Sequence, residues 1–141
     1  MCELIAMKSP NGQYEVFTRD YGEIRMGAPE FGRIEIRGAT FDTSGKEFGV
    51  PMSFSSDSRF LAAEQLVDTV PAPHTRVVIF DFERRRQIIV HDQNPGFVRR
   101  FVWSPNGLLT IVTWSHLAGE REYSWQSPAP KPPSFFERIF R

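Results

Sequence analysis

Ser104-Pro105-Asn106-Gly107-Leu108-Leu109 is the stretch on which the fold turns, because the chain carries a version of it three times. The other two are Ser9-Pro10-Asn11-Gly12-Gln13-Tyr14 and Ser55-Ser56-Asp57-Ser58-Arg59-Phe60, and the first residues of the three lie 46 and then 49 positions apart. Proline presets φ for the first central position of a turn, Asn or Asp bonds its own backbone, and Gly takes a positive φ without a steric penalty. Each copy has a short apolar stretch on either side, so each predicts a tight hairpin between two strands.

Composition supports many such strands. Ile, Val and Thr number 26 and the aromatics 19, whereas Ala, Leu and Lys together reach 17, so strand formers dominate. Phe is twice as frequent as Leu, which suits sheet faces filled by large rings. The expectation is an all-β chain. Eleven strands are read: Leu4–Lys8, Tyr14–Thr18, Phe31–Arg37, Lys46–Val50, Pro51–Phe54, Phe60–Val67, Arg76–Phe80, Arg86–His91, Phe97–Trp103, Leu108–Trp114 and Arg121–Trp125. Charges and isoleucines alternate along Arg33–Arg37, the pattern of a strand with one wet face, whereas Val77–Phe80 and Leu108–Val112 are apolar on both faces and should be central. Val78, Trp103, Leu108 and Ile111 are accordingly expected to be buried.

Ser-Pro-Asn-Gly hairpins at a period near 45 residues resemble the blades of β-propellers of the WD-repeat or Tol-type class. Arg76-Val77-Val78-Ile79-Phe80-Asp81 resembles the strand that ends in the Trp-Asp pair of WD repeats, with Phe80 where Trp would stand and Asp81 matching. No Gly-His pair opens the blades, and the second hairpin lacks both Pro and Gly. The resemblance implies about three consecutive antiparallel blade-like sheets, packed as an incomplete propeller or as a sandwich. Closed propellers need at least four blades, so an open flank or a covering partner is implied as well.

Residues 1–126 are therefore read as one all-β repeat domain and residues 127–141 as a tail. Ser127-Pro128-Ala129-Pro130-Lys131-Pro132-Pro133 forms an extended linker, and Ser134 with Glu137 makes a capping box for a short amphipathic C-terminal helix carrying Phe135, Phe136 and Phe140. Docking of that segment on its own body or on a partner is expected, because seven residues do not hold a helix alone.

The chemistry-bearing residues point away from catalysis. His74, His91 and His116 stand 17 and 25 residues apart with no cysteine beside them, so no metal site is expected. Cys2 has no basic neighbour to lower its pKa. Gly38 to Glu47 superficially resembles a phosphate loop, but six residues separate the glycines and Glu47 occupies the magnesium-ligand position. No cofactor is expected. Seventeen basic and 17 acidic residues cancel, which argues against nucleic acid or a membrane surface as partner. Arg84–Arg86 reads as a solvated turn and Arg99-Arg100 as an Arg face at a sheet edge. No apolar leader follows Met1 and no apolar run approaches a membrane span, so the cytoplasm is the expected compartment.

What remains is a non-enzymatic protein-binding module, in its sharpest form a stoichiometric immunity protein that neutralises a cationic toxin domain. The alternatives are a propeller segment that self-assembles through an open sheet flank or completes a larger ring, and an enzyme without a recognisable motif. Val67–Thr75 and Ser115–Glu120 read as irregular connections of the same type in successive repeats, so they should lie near each other. Asp68, His74, His116 and Glu120, supported by Trp114, are the expected partner-binding residues.

Overall fold

The computed structural model describes residues 6–23, 29–68, 73–92 and 96–128. Ten strands make up the fold: β1 Ala6–Lys8, β2 Glu15–Glu23, β3 Glu30–Arg37, β4 Glu47–Phe54, β5 Phe60–Val67, β6 His74–Asp81, β7 Arg86–His91, β8 Phe97–Trp103, β9 Leu108–Ser115 and β10 Gly119–Gln126. β1 to β7 form one antiparallel sheet in chain order, and β8 to β10 form a second. The two do not close into one ring of strands. No helix of the described residues is long and apolar enough to cross a membrane. The expected C-terminal helix, the linker beyond Pro128 and Cys2 lie outside the described residues.

Each repeated hairpin closes with the same hydrogen bonds. The N–H of Gly12, Ser58 and Gly107 donates to the carbonyl of Ser9, Ser55 and Ser104 in turn, at 2.9, 3.0 and 3.1 Å. The serine hydroxyl donates to the Asx carboxyl or amide oxygen two residues on, at Asn11 (2.7 Å), Asp57 (2.6 Å) and Asn106, and accepts the N–H of Tyr14, Phe60 and Leu108. Ser58 holds a φ of 65° where the other two turns use Gly, and its hydroxyl accepts the N–H of Asn11 at 2.8 Å, so the first two turns touch.

Two differences from expectation concern β4. The sequence suggested separate strands at Lys46–Val50 and Pro51–Phe54, but they form one strand, with a register irregularity between Phe48 and Met52. Phe48 and Gly49 pair with β3 at Gly32 and Phe31, while Glu47, Phe48 and Met52–Phe54 pair with β5. The first two expected blades are thus one continuous hydrogen-bonded sheet, and there are two sheets rather than three. Pro51 lacks a donor, and the irregular stretch around it tolerates that loss.

β5 and β6 are the centre of the molecule. Leu61, Ala63, Val78 and Phe80 point to one side and share a core with Val16, Ile34, Phe48 and Phe82. Phe60, Ala62, Val77 and Ile79 point to the other and share a core with Val98, Phe101, Leu109 and Ile111 of the second sheet. For Val16 and Ile34 to lie over β5 and β6 of their own sheet, the sheet folds over near β4. Of the residues expected inside, Val78 and Ile111 are buried, but Trp103 and Leu108 are only half-buried. The buried member of the leucine pair is Leu109, because strand alternation sends Leu108 to the face of β9 opposite the second core. Trp103 lies at the seam instead, where its Nε1–H donates to the Ser53 carbonyl of β4 at 2.9 Å.

Candidate partner-binding surface

β9 and β10 are joined by a tight turn rather than the irregular stretch expected from the sequence. Ser115 pairs directly with Gly119, and the Ala118 N–H donates to Ser115 Oγ at 3.0 Å. Gly119 holds a φ of 68°, a conformation that L side chains disfavour. The turn therefore projects His116 and Leu117 into solvent, Leu117 without any cover at 102% relative exposure.

Trp114, half-buried at the end of β9, organises the surroundings of that tip. Its cross-strand neighbours are Phe97 on β8 and Glu120 on β10. The His116 ring meets it edge-on at 4.7 Å, and the Arg99 guanidinium lies 5.7 Å from its ring centre. Arg99 Nη1 reaches Glu120 Oε1 at 3.4 Å, an exposed pair that orients both side chains more than it stabilises the fold. A register irregularity between Val98 and Arg100 makes Arg99 the extra residue of β8.

The start of β6 reaches the same end through Gly96. Thr75 Oγ1 donates to the Gly96 carbonyl at 3.2 Å. Gly96 has a φ of 117°, and a Cβ there would stand 2.2 Å from the Trp114 carbonyl oxygen, so only glycine permits this approach. Of the expected residues, Trp114, His116 and Glu120 come together directly, whereas His74 opens β6 opposite Val67, one residue before Thr75. Asp68 is exposed just beyond β5, and no contact among the described residues ties it to Trp114. Sequence reasoning missed Arg99 and Leu117. The Arg99-Arg100 pair was visible as a basic run, but its place beside Trp114 depends on the β8 irregularity.

Two other polar groupings are internal. Glu64 is fully buried and its Oε2 accepts the Val98 N–H at 3.0 Å, tying β8 to β5. Burial, with the Glu64 charge adding to it, pushes the Tyr123 hydroxyl well above the usual tyrosine range. The His91 ring stacks on Tyr123 at 4.2 Å. The second grouping is Asp81, which is fully buried and accepts from Arg59 at 3.3 Å and from the backbone N–H groups of Glu83 and Arg84 at 3.1 Å. A cleft of about 400 Å³ separates the second and third hairpin turns, with Asp57, Asn106 and Gln126 among its walls. Among the described residues no three His, Cys, Asp or Glu side chains gather as metal ligands would. No protein-family model matches the chain, and no curated protein or solved structure shows significant similarity to it.

Proposed function

We propose that this chain is a protein-binding module that docks another protein through the β9–β10 tip and the adjoining start of β6. The observation that carries this reading is the uncovered Leu117, set on a tight turn beside a Trp114 framed by Arg99, His116 and Glu120. Trp and Arg dominate binding energy at protein interfaces, and a rigid hairpin loses little entropy when it docks. In its sharper form the module is a cytoplasmic immunity protein, and Asp68 and Glu120 steer a cationic toxin domain toward the tip. The blade-like reading belongs to the same proposal, and the shared hydrogen bonds of the three turns favour it.

The test is affinity capture with the tagged chain from its native host, followed by titration of the recovered protein against variants. Leu117→Asp, and the combined replacement of Asp68, His74, His116 and Glu120 by Ala, are expected to weaken a one-to-one complex at least tenfold. Their melting temperatures should stay close to that of the parent. Undiminished binding by both variants would move the interface elsewhere. A second reading, assembly with further copies of the chain, is favoured by the two unclosed sheets and is separated from the first by mass in solution.

A further inference from the structure

Away from the two cores, the sheets present two faces of different chemistry. On β2 and β3 that face is charged: Glu35 pairs with both Arg19 and Arg37, and the Arg37 guanidinium covers the Phe17 ring at 4.0 Å. On the second sheet, the face opposite Leu109 and Ile111 carries Leu108, Thr110 and Val112 in a row along β9, with Val102 of β8 directly opposite Thr110. The register is unbroken over this patch, since β9 and β10 pair without interruption and the β8 irregularity ends at Arg100. Val102 is 49% exposed, whereas Val112 is 1% exposed between its cross-strand neighbours Arg100 and Glu122, both of which face solvent. A sheet buries an apolar face by carrying a second layer on it.

We infer that the chain's own C-terminal residues supply that layer, with Phe135, Phe136, Ile139 and Phe140 packing on the face that carries Val102, Leu108 and Val112. These four lie outside the described residues, and the exit of the chain from β10 directs them there. The Ser127 N–H donates to the Gly107 carbonyl at 3.0 Å and Gln126 stands directly opposite Leu108, so the chain departs at the Leu108 end of the row. From Leu108, Val112 is about 13 Å away along the strand at roughly 3.3 Å per residue. Residues 129–133, three of them proline, span up to about 16 Å at the 3.1 Å per residue of an extended proline-rich chain. Phe135 and Phe136 thus come within reach of Val112 and Val102. The sequence spacing of the four apolar residues gathers them on one side of a helical turn, with Glu137, Arg138 and Arg141 on the other. The charged face of β2 and β3 would strand the same side chains over ion pairs. A tethered segment also meets a nearby face at an effective concentration in the millimolar range, ahead of a free partner.

Paramagnetic broadening in the full chain tests the contact. With Cys2→Ser removing the native thiol, a nitroxide on Ser124→Cys, exposed on this face, is expected to weaken the amide signals of residues 135–140 at least twofold. A nitroxide on Arg33→Cys, on the charged face of β3, should leave them sharp. Val102→Lys should abolish the broadening and speed tryptic cleavage after Arg138 at least tenfold, with circular dichroism unchanged. Should Val102→Lys disturb the sheet, Phe136→Asp reads the same contact from the other side. Broadening seen only between a labelled copy and an unlabelled one would give the face to a second copy. Residues 135–140 untouched by the Ser124 label would leave it to another protein. Either result overturns the proposal, as does cleavage indifferent to both substitutions. Leu117→Asp should change neither reading, so this contact and the proposed tip interface fail separately.

Discussion

Asp81 shows how one residue can hold several backbone segments in place. It closes the β6–β7 turn by accepting two N–H groups, and it binds Arg59, whose side chain is almost as buried, from the start of β5. Burial pushes its carboxyl upward, but the Arg59 and backbone hydrogen bonds, with the Arg59 charge, outweigh that and hold it below the usual carboxylate range. A lowered folded-state pKa means the contribution to stability is full above the unfolded value near 4. It is lost as pH falls through the folded value. Acid titration of the unfolding midpoint should therefore show a decline below about pH 4 that is reduced in Asp81→Asn. Arg59→Ala leaves the buried carboxylate without its main cation and should cost on the order of 3 kcal/mol in urea denaturation. Gly96 is the other residue where one atom decides. Gly96→Ala combines a disfavoured φ with a contact at the Trp114 carbonyl and should cost roughly 1–3 kcal/mol, with a change in Trp fluorescence as Trp114 shifts.

At the scale of elements, β9 separates pattern from position. Its residues are apolar on both faces; Leu109 and Ile111 belong to the second core, and on the opposite face Val112 is buried while Leu108 is only half-buried. Leu109→Ala and Ile111→Ala should each cost about 2–5 kcal/mol, whereas half-buried Leu108→Ala should stay below about 1.5 kcal/mol. Equal losses at Leu108 and Leu109 would mean that Leu108 is covered in solution as fully as Val112 is. β4 teaches a related lesson. Proline at position 51 marked a boundary in the sequence, but strand pairing continued past it because β5 supplies partners on both sides of the irregular stretch.

The whole molecule is held by β5 and β6, whose two faces carry two different cores. Phe60 stacks on Trp103 at 6.0 Å and meets Trp125 edge-on at 5.3 Å, so the second sheet is fastened to the first by aromatic rings. The two sheets are therefore expected to melt together. Trp fluorescence, which reports Trp103 and Trp125 at the seam, should give the same midpoint as far-ultraviolet circular dichroism. Phe60→Ala should lower both by about 3–5 kcal/mol and keep them coincident. Separate midpoints would show that the sheets are energetically independent units.

The all-β class, the three hairpins and most strand spans were legible in the sequence, because turn chemistry and β-branched runs act locally. Phe60–Val67, Arg86–His91 and Phe97–Trp103 match their observed strands end for end. The alternation on Arg33–Arg37 likewise placed Ile34 inward, since a period of two needs no tertiary information. Loop position selected His116 and Glu120, with Trp114 at the strand end as their support, and the structure places these three side by side. Which sheet each strand joins was decided by tertiary structure, since β4 pairs with β3 and β5 across an irregularity that no local propensity encodes. Which residues of β9 are buried was decided there as well, because a strand apolar on both sides carries no sign of which positions meet a neighbour. The same holds for Arg99 beside Trp114, brought there by one extra residue in β8, and for the Gly96 contact that joins the start of β6 to the end of β9. Long-range pairing sets these features, and a chain read residue by residue holds only its local half.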